Sequence, residues 1–251
     1  MSPTRWPRGV SVLVLALACL TDLQLIAQQR DATVTFKQVW KEAQPAEFEI
    51  VIHRGGQAEY LSQDKNLSEP QERSSPVESN AEQKTQLEDA GSQEAFKKDF
   101  QASDTLRQRI FSLAESVKFF DGQFDFTKHA IAQTGRKTLS YADPSRRTST
   151  TYNYSEDPTI QELTAIFQGI STTIESGRKL DFDRRFDKLS LDQDLRALEE
   201  QSNEGRLYEV QAIAPLLQRL ATDRTVLHIA QQRAERILKK AGLPVAPSYS
   251  Q

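Results

Sequence analysis

The sequence predicts an α+β fold: a small antiparallel sheet of hairpins with one packed helix, followed by an α-helical C-terminal region. Three observations carry this expectation. Phe48, Ile50 and Ile52 alternate with Glu49, Val51 and His53, the period of two of a half-buried strand, and Arg54-Gly55-Gly56 follows as a turn. Thr138 to Tyr141 and Arg147 to Tyr154 are Thr- and Tyr-rich runs separated by Asp143-Pro144-Ser145. From Asp157 to Gly242 the apolar residues recur three and four positions apart, which is helical spacing.

The elements follow in chain order. Residues 28–61 form the N-terminal strand hairpin of the α+β domain, with Ala58 to Leu61 as the returning strand. Ser62 to Glu94 holds eight acidic and three basic residues, no aromatic, and only Leu67, Val77 and Leu87 as larger aliphatics. Such a stretch buries too little apolar surface to offset chain entropy, so residues 62–94 are predicted to be a disordered acidic insertion. It reads either as an interaction tether or as a solvated insertion between two strands, and the second reading is favoured. Residues 95–156 complete the domain. Phe96 and Phe100 mark a short strand, Ser103 caps a helix with Asp104 in its first turn, and Leu106, Ile110, Leu113, Ala114 and Val117 supply the apolar stripe up to Gly122.

Residues 157–243 are predicted to be all helix. Asp157-Pro158 is a cap followed by Pro at the first helical position, and Ile160, Leu163, Ile166, Phe167, Ile170 and Ile174 form one stripe. Further helices are expected over Leu191 to Glu200, Leu207 to Ala221 and Thr225 to Lys240, with Pro215 kinking or splitting the second of these. Gly242-Leu243-Pro244 is a stop, and residues 244–251 are a flexible tail. The last two helices, joined at Thr222-Asp223-Arg224, resemble one helical-repeat hairpin of the HEAT type. An array would need about three repeats, so an ordinary helix pair is the favoured reading.

Composition bounds the function. The chain has 251 residues, a net charge of -3, one Cys and 37% hydrophobic residues. One Cys excludes a disulfide framework, and the acidic balance argues against nucleic acid as a partner. Residues 1–27 read as a signal peptide: Arg5 and Arg8, an apolar run from Val10 to Leu20, then Leu25-Ile26-Ala27 before Gln28. Cleavage is placed after Ala27, with Ala18 as the second choice. Cys19 is either an apolar residue of that leader or, in the poor lipobox Ala16-Leu17-Ala18-Cys19, the anchor of an envelope lipoprotein. Only in the second case would the membrane be a partner. The expected location is therefore secreted or periplasmic. Asn66-Leu67-Ser68 and Asn153-Tyr154-Ser155 are glycosylation sequons that matter only in a eukaryotic secretory route.

Strong catalytic patterns are missing: no nucleophile elbow, phosphate-binding loop, dinucleotide glycine pattern or His-Glu-x-x-His. No cofactor or metal is assigned. His53, His129 and His228 match no local ligand spacing. The most site-like cluster is Asp121-Gly122-Gln123-Phe124-Asp125 with Lys128 and His129. It reads either as an acid/base or cation site built on Asp121, Asp125 and His129, or as a helix C-terminal turn with solvated charges, which is favoured. As a calcium loop it lacks the central Gly, since Phe126 stands there, and the twelfth-position Glu, where Ala132 stands. Asp181, Asp183, Asp187, Asp192 and Asp194 alternate with Arg184, Arg185 and Lys188, the pattern of a solvated helical face. Tyr152 and Tyr154 share a strand face and read either as an exposed aromatic patch for sugar or peptide, or, more commonly for alternate aromatics, as one ring on the core and one on the surface.

Ile110-Phe111-Ser112-Leu113-Ala114-Glu115, Phe120-Asp121-Gly122, Lys128-His129-Ala130-Ile131-Ala132 and Thr134-Gly135-Arg136-Lys137-Thr138-Leu139 stand in the middle of the chain. With Tyr152-Asn153 and Pro158 to Gly169, they resemble uncharacterised signal-peptide-bearing bacterial proteins of unknown function. The resemblance implies a bacterial envelope or secreted setting and transfers no catalytic residue. The expected function is a non-catalytic binding or structural protein of the periplasm or cell exterior, with another envelope or secreted protein as partner. The rival is a hydrolase or metal-dependent enzyme at Asp121, Asp125 and His129.

Overall fold

The structure is a computed structural model that describes residues 32–64 and 95–245. The expected signal peptide with Cys19, nearly all of the acidic insertion and the end of the tail lie outside the described residues. Among the described residues the fold is α+β with a helical C-terminal region, a six-stranded antiparallel sheet and five α-helices.

The strands are β1 (Thr33–Val39), β2 (Glu47–His53), β3 (Gln57–Gln63), β4 (Phe96–Gln101), β5 (Arg136–Ala142) and β6 (Arg147–Tyr152). They lie in the order β4-β3-β2-β1-β5-β6. The β2–β3 hairpin forms as its alternation requires, with Ile50 facing Tyr60 and Ile52 facing Ala58. Gly56 makes its turn at φ +100, a conformation that costs a residue with a Cβ far more. β3 runs two residues past the expected Leu61, because Ser62 is buried opposite Phe48. The acidic insertion therefore begins after the strand.

β1 is the strand the sequence pattern hides, and it is central, pairing both β2 and β5. Val34 and Phe36 point into the core, but the next core-facing position is Gln38. Its Oε1 accepts from Gln168 Nε2 at 2.8 Å, so the polar residue is buried at little cost. The β5–β6 turn works as expected: Asp143 Oδ1 accepts from the amides of Ser145 and Arg146, both at 2.7 Å. The Ser145 hydroxyl, which donates to the same oxygen at 2.8 Å, and then these amides hold the Asp143 carboxyl down at about 2.

The helices are α1 (Asp104–Ser116), α2 (Pro158–Phe186), α3 (Leu191–Asn203), α4 (Ala214–Thr222) and α5 (His228–Lys240). Ser103 caps α1, and Asp157 caps α2 by accepting from Thr159 N and Ile160 N. α2 is the shared shaft of two cores. Its first half, Ile160 to Ile174, joins α1 over one face of the sheet, where Phe167 stacks on Phe36 at 5.1 Å. Its last turns, with Leu180, join α3, α4 and α5 in a second core around Leu195, Leu217 and Leu238.

Two glycines on α2, two turns apart, face the strap of residues 206–213 that leads into α4. A Cβ on Gly169 would stand 2.6 Å from the Arg206 carbonyl oxygen, and one on Gly177 would stand 2.4 Å from Ile213 Cγ2. Only bare backbone lets the strap cross this closely. The expected helix from Leu207 is replaced by this strap and a short 3-10 turn over Val210–Ala212. Pro215 then falls in the first turn of α4, so it starts that helix instead of kinking one.

Candidate functional site

Asp121, Asp125 and His129 are all exposed. The turn before them, Lys118–Phe120, has φ of 54, 57 and 67 at its three residues. Left-handed backbone costs roughly 1–2 kcal/mol per residue. The fully buried Phe120 and the Phe119 ring, 4.4 Å from Tyr141, offset it. Asp125 Oδ1 accepts from Asn153 N at 2.8 Å, which ties the loop to the end of β6. Lys128 pairs with Glu156 at 2.7 Å, and the His129 ring stands edge-on to Phe126 at 4.7 Å. The cluster is thus a solvated loop whose groups hold the chain. His53 ends β2 and His228 opens α5, where it bonds Gln231 and Gln232. Among the described residues no group of three or more His, Cys, Asp or Glu is arranged to hold a metal. No helix described is long and apolar enough to cross a membrane.

Tyr152 and Tyr154 part company, one on the core and one on the surface, because β6 ends at Tyr152. Tyr152 is buried with its hydroxyl 2.6 Å from Thr164 Oγ1, whereas Tyr154 is exposed beside Phe126. The Asp181–Asp194 charges are mostly paired on the helix surface, as expected, with one exception. Asp183 on α2 is buried, and among the described residues neither its Oδ2 nor that of Asp194 on α3 has a hydrogen-bond partner. Burial first, then the facing Asp194 carboxylate, pushes Asp183 up to about 6.

A groove of about 230 Å³ lies where the two cores meet. It is lined by Phe96 and Lys98 of β4, by Ile174 and Gly177 of α2, and by Pro215, Leu216 and Arg219 of α4. A polar brace beside it ties β3 to α2. Glu175 Oε1 accepts from the Tyr60 hydroxyl at 2.7 Å and from Ser62 Oγ at 2.6 Å, and Ser171 Oγ stands 3.0 Å from the Tyr60 oxygen. Burial, then the Glu175 charge, raises the Tyr60 phenol, so it stays protonated and donates. Arg178 continues the brace: Nε meets Glu175 at 3.0 Å, Nη2 meets Asp64 at 2.9 Å, and the guanidinium lies 5.2 Å over the Phe96 ring.

Glu209 holds the α4 wall. Its backbone is left-handed, φ 57, and its buried carboxylate accepts from Ser103 N at 2.9 Å and Ser103 Oγ at 2.7 Å. Burial raises its pKa. The strap before α4 is thereby bound to the start of α1 and cannot drift from α2.

Asp181 also borders the groove, but Arg184 and Arg185 already engage it. Lys98 and Arg219 have no ion-pair partner among the described residues. The groove thus offers two available cations beside apolar walls. Nothing local in the sequence marks the groove as a site, since its residues come from three distant segments. The chain matches no protein-family model, and no curated protein matches its sequence.

Proposed function

We propose that this chain is a non-catalytic binding protein of the bacterial periplasm or cell exterior, and that the groove between β4, α2 and α4 is its binding site. The observation that carries this reading is the groove itself. Apolar walls and two available cations stand beside a half-buried polar brace that ties β3 to α2, the composition of a recognition site. Among the described residues the groove contains no nucleophile–base pair, and Asp125 serves to hold the 121–129 loop. The leader-like residues 1–27 support export, and the partner is then another envelope or secreted protein.

Competition for an envelope component tests the binding reading. The immobilised exported chain is expected to retain a saturable component of bacterial envelope extract that free chain displaces. Pro215→Trp, a substitution at an exposed groove position, is expected to abolish that retention. Nothing retained above background, or equal retention by the variant, would contradict it. Export is checked by mass spectrometry of the periplasmic fraction, where an unmodified N-terminus at Gln28 is expected. An acylated Cys19 would instead make the chain a lipoprotein, and an intact Met1 would contradict export.

A further inference from the structure

We infer that the groove takes an extended acidic peptide segment, which adds to β4 as one more strand of the sheet. This names the ligand class of the site proposed above and rests on that reading. β4 is an edge strand, and among the described residues no strand pairs its outer side. Such an edge presents a row of backbone donors and acceptors that an extended chain can satisfy.

Phe96 and Lys98, on the half-buried face of that edge strand, line the groove. An incoming strand would lie about 4.8 Å from β4, in the groove that α4 also lines. Alternate side chains of the incomer would then point toward Ile174, Ile213 and Leu216, or away from them. The volume of about 230 Å³ is below the roughly 300–1,000 Å³ of pockets that enclose whole small molecules. It suits a few side chains of a longer segment.

Charge selects the class. Arg178 is already matched by Glu175 and Asp64, and Asp181 by Arg184 and Arg185. What remains is Lys98 on β4 and Arg219 on α4, one cation on each element, so carboxylates on the incoming strand complement both. A second copy of β4 is disfavoured as the occupant, because its Lys97-Lys98 would meet the same pair. Lys97 also guards the open sheet face, bridging Glu59 and Asp99.

The test uses the exported chain and two labelled, end-blocked hexapeptides, one alternating Val and Glu and the other Val and Lys. Fluorescence anisotropy is expected to show the acidic peptide binding and the basic one binding at least about tenfold more weakly. Arg219→Glu and Lys98→Met should each weaken the acidic peptide by about tenfold with circular dichroism unchanged, while Arg196→Glu on α3 leaves it unaltered. Amide exchange at Phe96 to Gln101 should slow on binding. Equal binding of the basic peptide overturns the inference, and so does binding without protection of the β4 amides. Octanoate displacing the peptide at equal concentration would also overturn it, in favour of a small apolar acid. Failure of the acidic peptide to bind overturns it as well. An envelope component retained by wild type and lost in Pro215→Trp would still support the groove, which keeps the two failures apart.

Discussion

The 121–129 loop and the groove between β4 and α4 hold the same kinds of side chain in opposite circumstances. In the loop, carboxylates, a lysine and a histidine crowd into nine residues, yet all are exposed and several are spent on holding the chain, as Asp125 holds Asn153 N. In the groove, cations from β4 and α4 stand beside apolar walls, and a half-buried Glu175, bonded to the buried Tyr60 and Ser62, ties the elements behind them. The difference teaches that closeness in sequence produces density of charge, whereas a site also needs rigidity and apolar shielding. Those two properties come from packing between distant segments.

The comparison breaks most severely at Gly177. Gly177→Val sets a branched side chain against Ile213, so the strap must lift from α2. A loss of about 3 kcal/mol in urea unfolding is expected, together with loss of groove binding. Glu209→Ala comes next. It leaves Ser103 N without its acceptor and frees the α4 wall, at a cost of about 2 kcal/mol by the same measurement.

Asp183 adds a pH dependence on the helical side. Its folded pKa of about 6 lies above its unfolded value, so the native state holds the proton more tightly. That stability is fully present at low pH and is lost as pH rises through about 6. Asp194, Asp187 and Lys179 are the charges that face it. Thermal unfolding between about pH 4 and pH 6, roughly the window between the unfolded and folded pKa values, should show the decline, and Asp183→Asn should flatten it. The smallest effect belongs to the loop. Asp125→Ala removes one exposed hydrogen bond and should cost less than about 1 kcal/mol, with binding intact.

The fold class was legible because its signals are local. Ser103, Asp157, Gly56 and the Asp143 turn each act within a few residues, and the α2 stripe repeats along one helix. What escaped depended on partners far away. β1 is masked by Gln38, whose burial is acceptable only because Gln168 lies opposite it. The strap reads as helix because its apolar residues are helically spaced, while the Glu209–Ser103 bond and the close passage over Gly169 and Gly177 decide otherwise. The groove was invisible for the same reason. Lys98 and Arg219 are ordinary surface cations until the fold brings β4 and α4 to one depression.

Retention of the envelope component by three proteins in parallel tests the central claim most directly: wild type, Pro215→Trp and the double variant Asp125→Asn with His129→Ala. The groove account predicts that the loop variant retains the component as wild type does and that Pro215→Trp does not. Retention by Pro215→Trp with loss in the loop variant would contradict it and return the site to Asp121, Asp125 and His129.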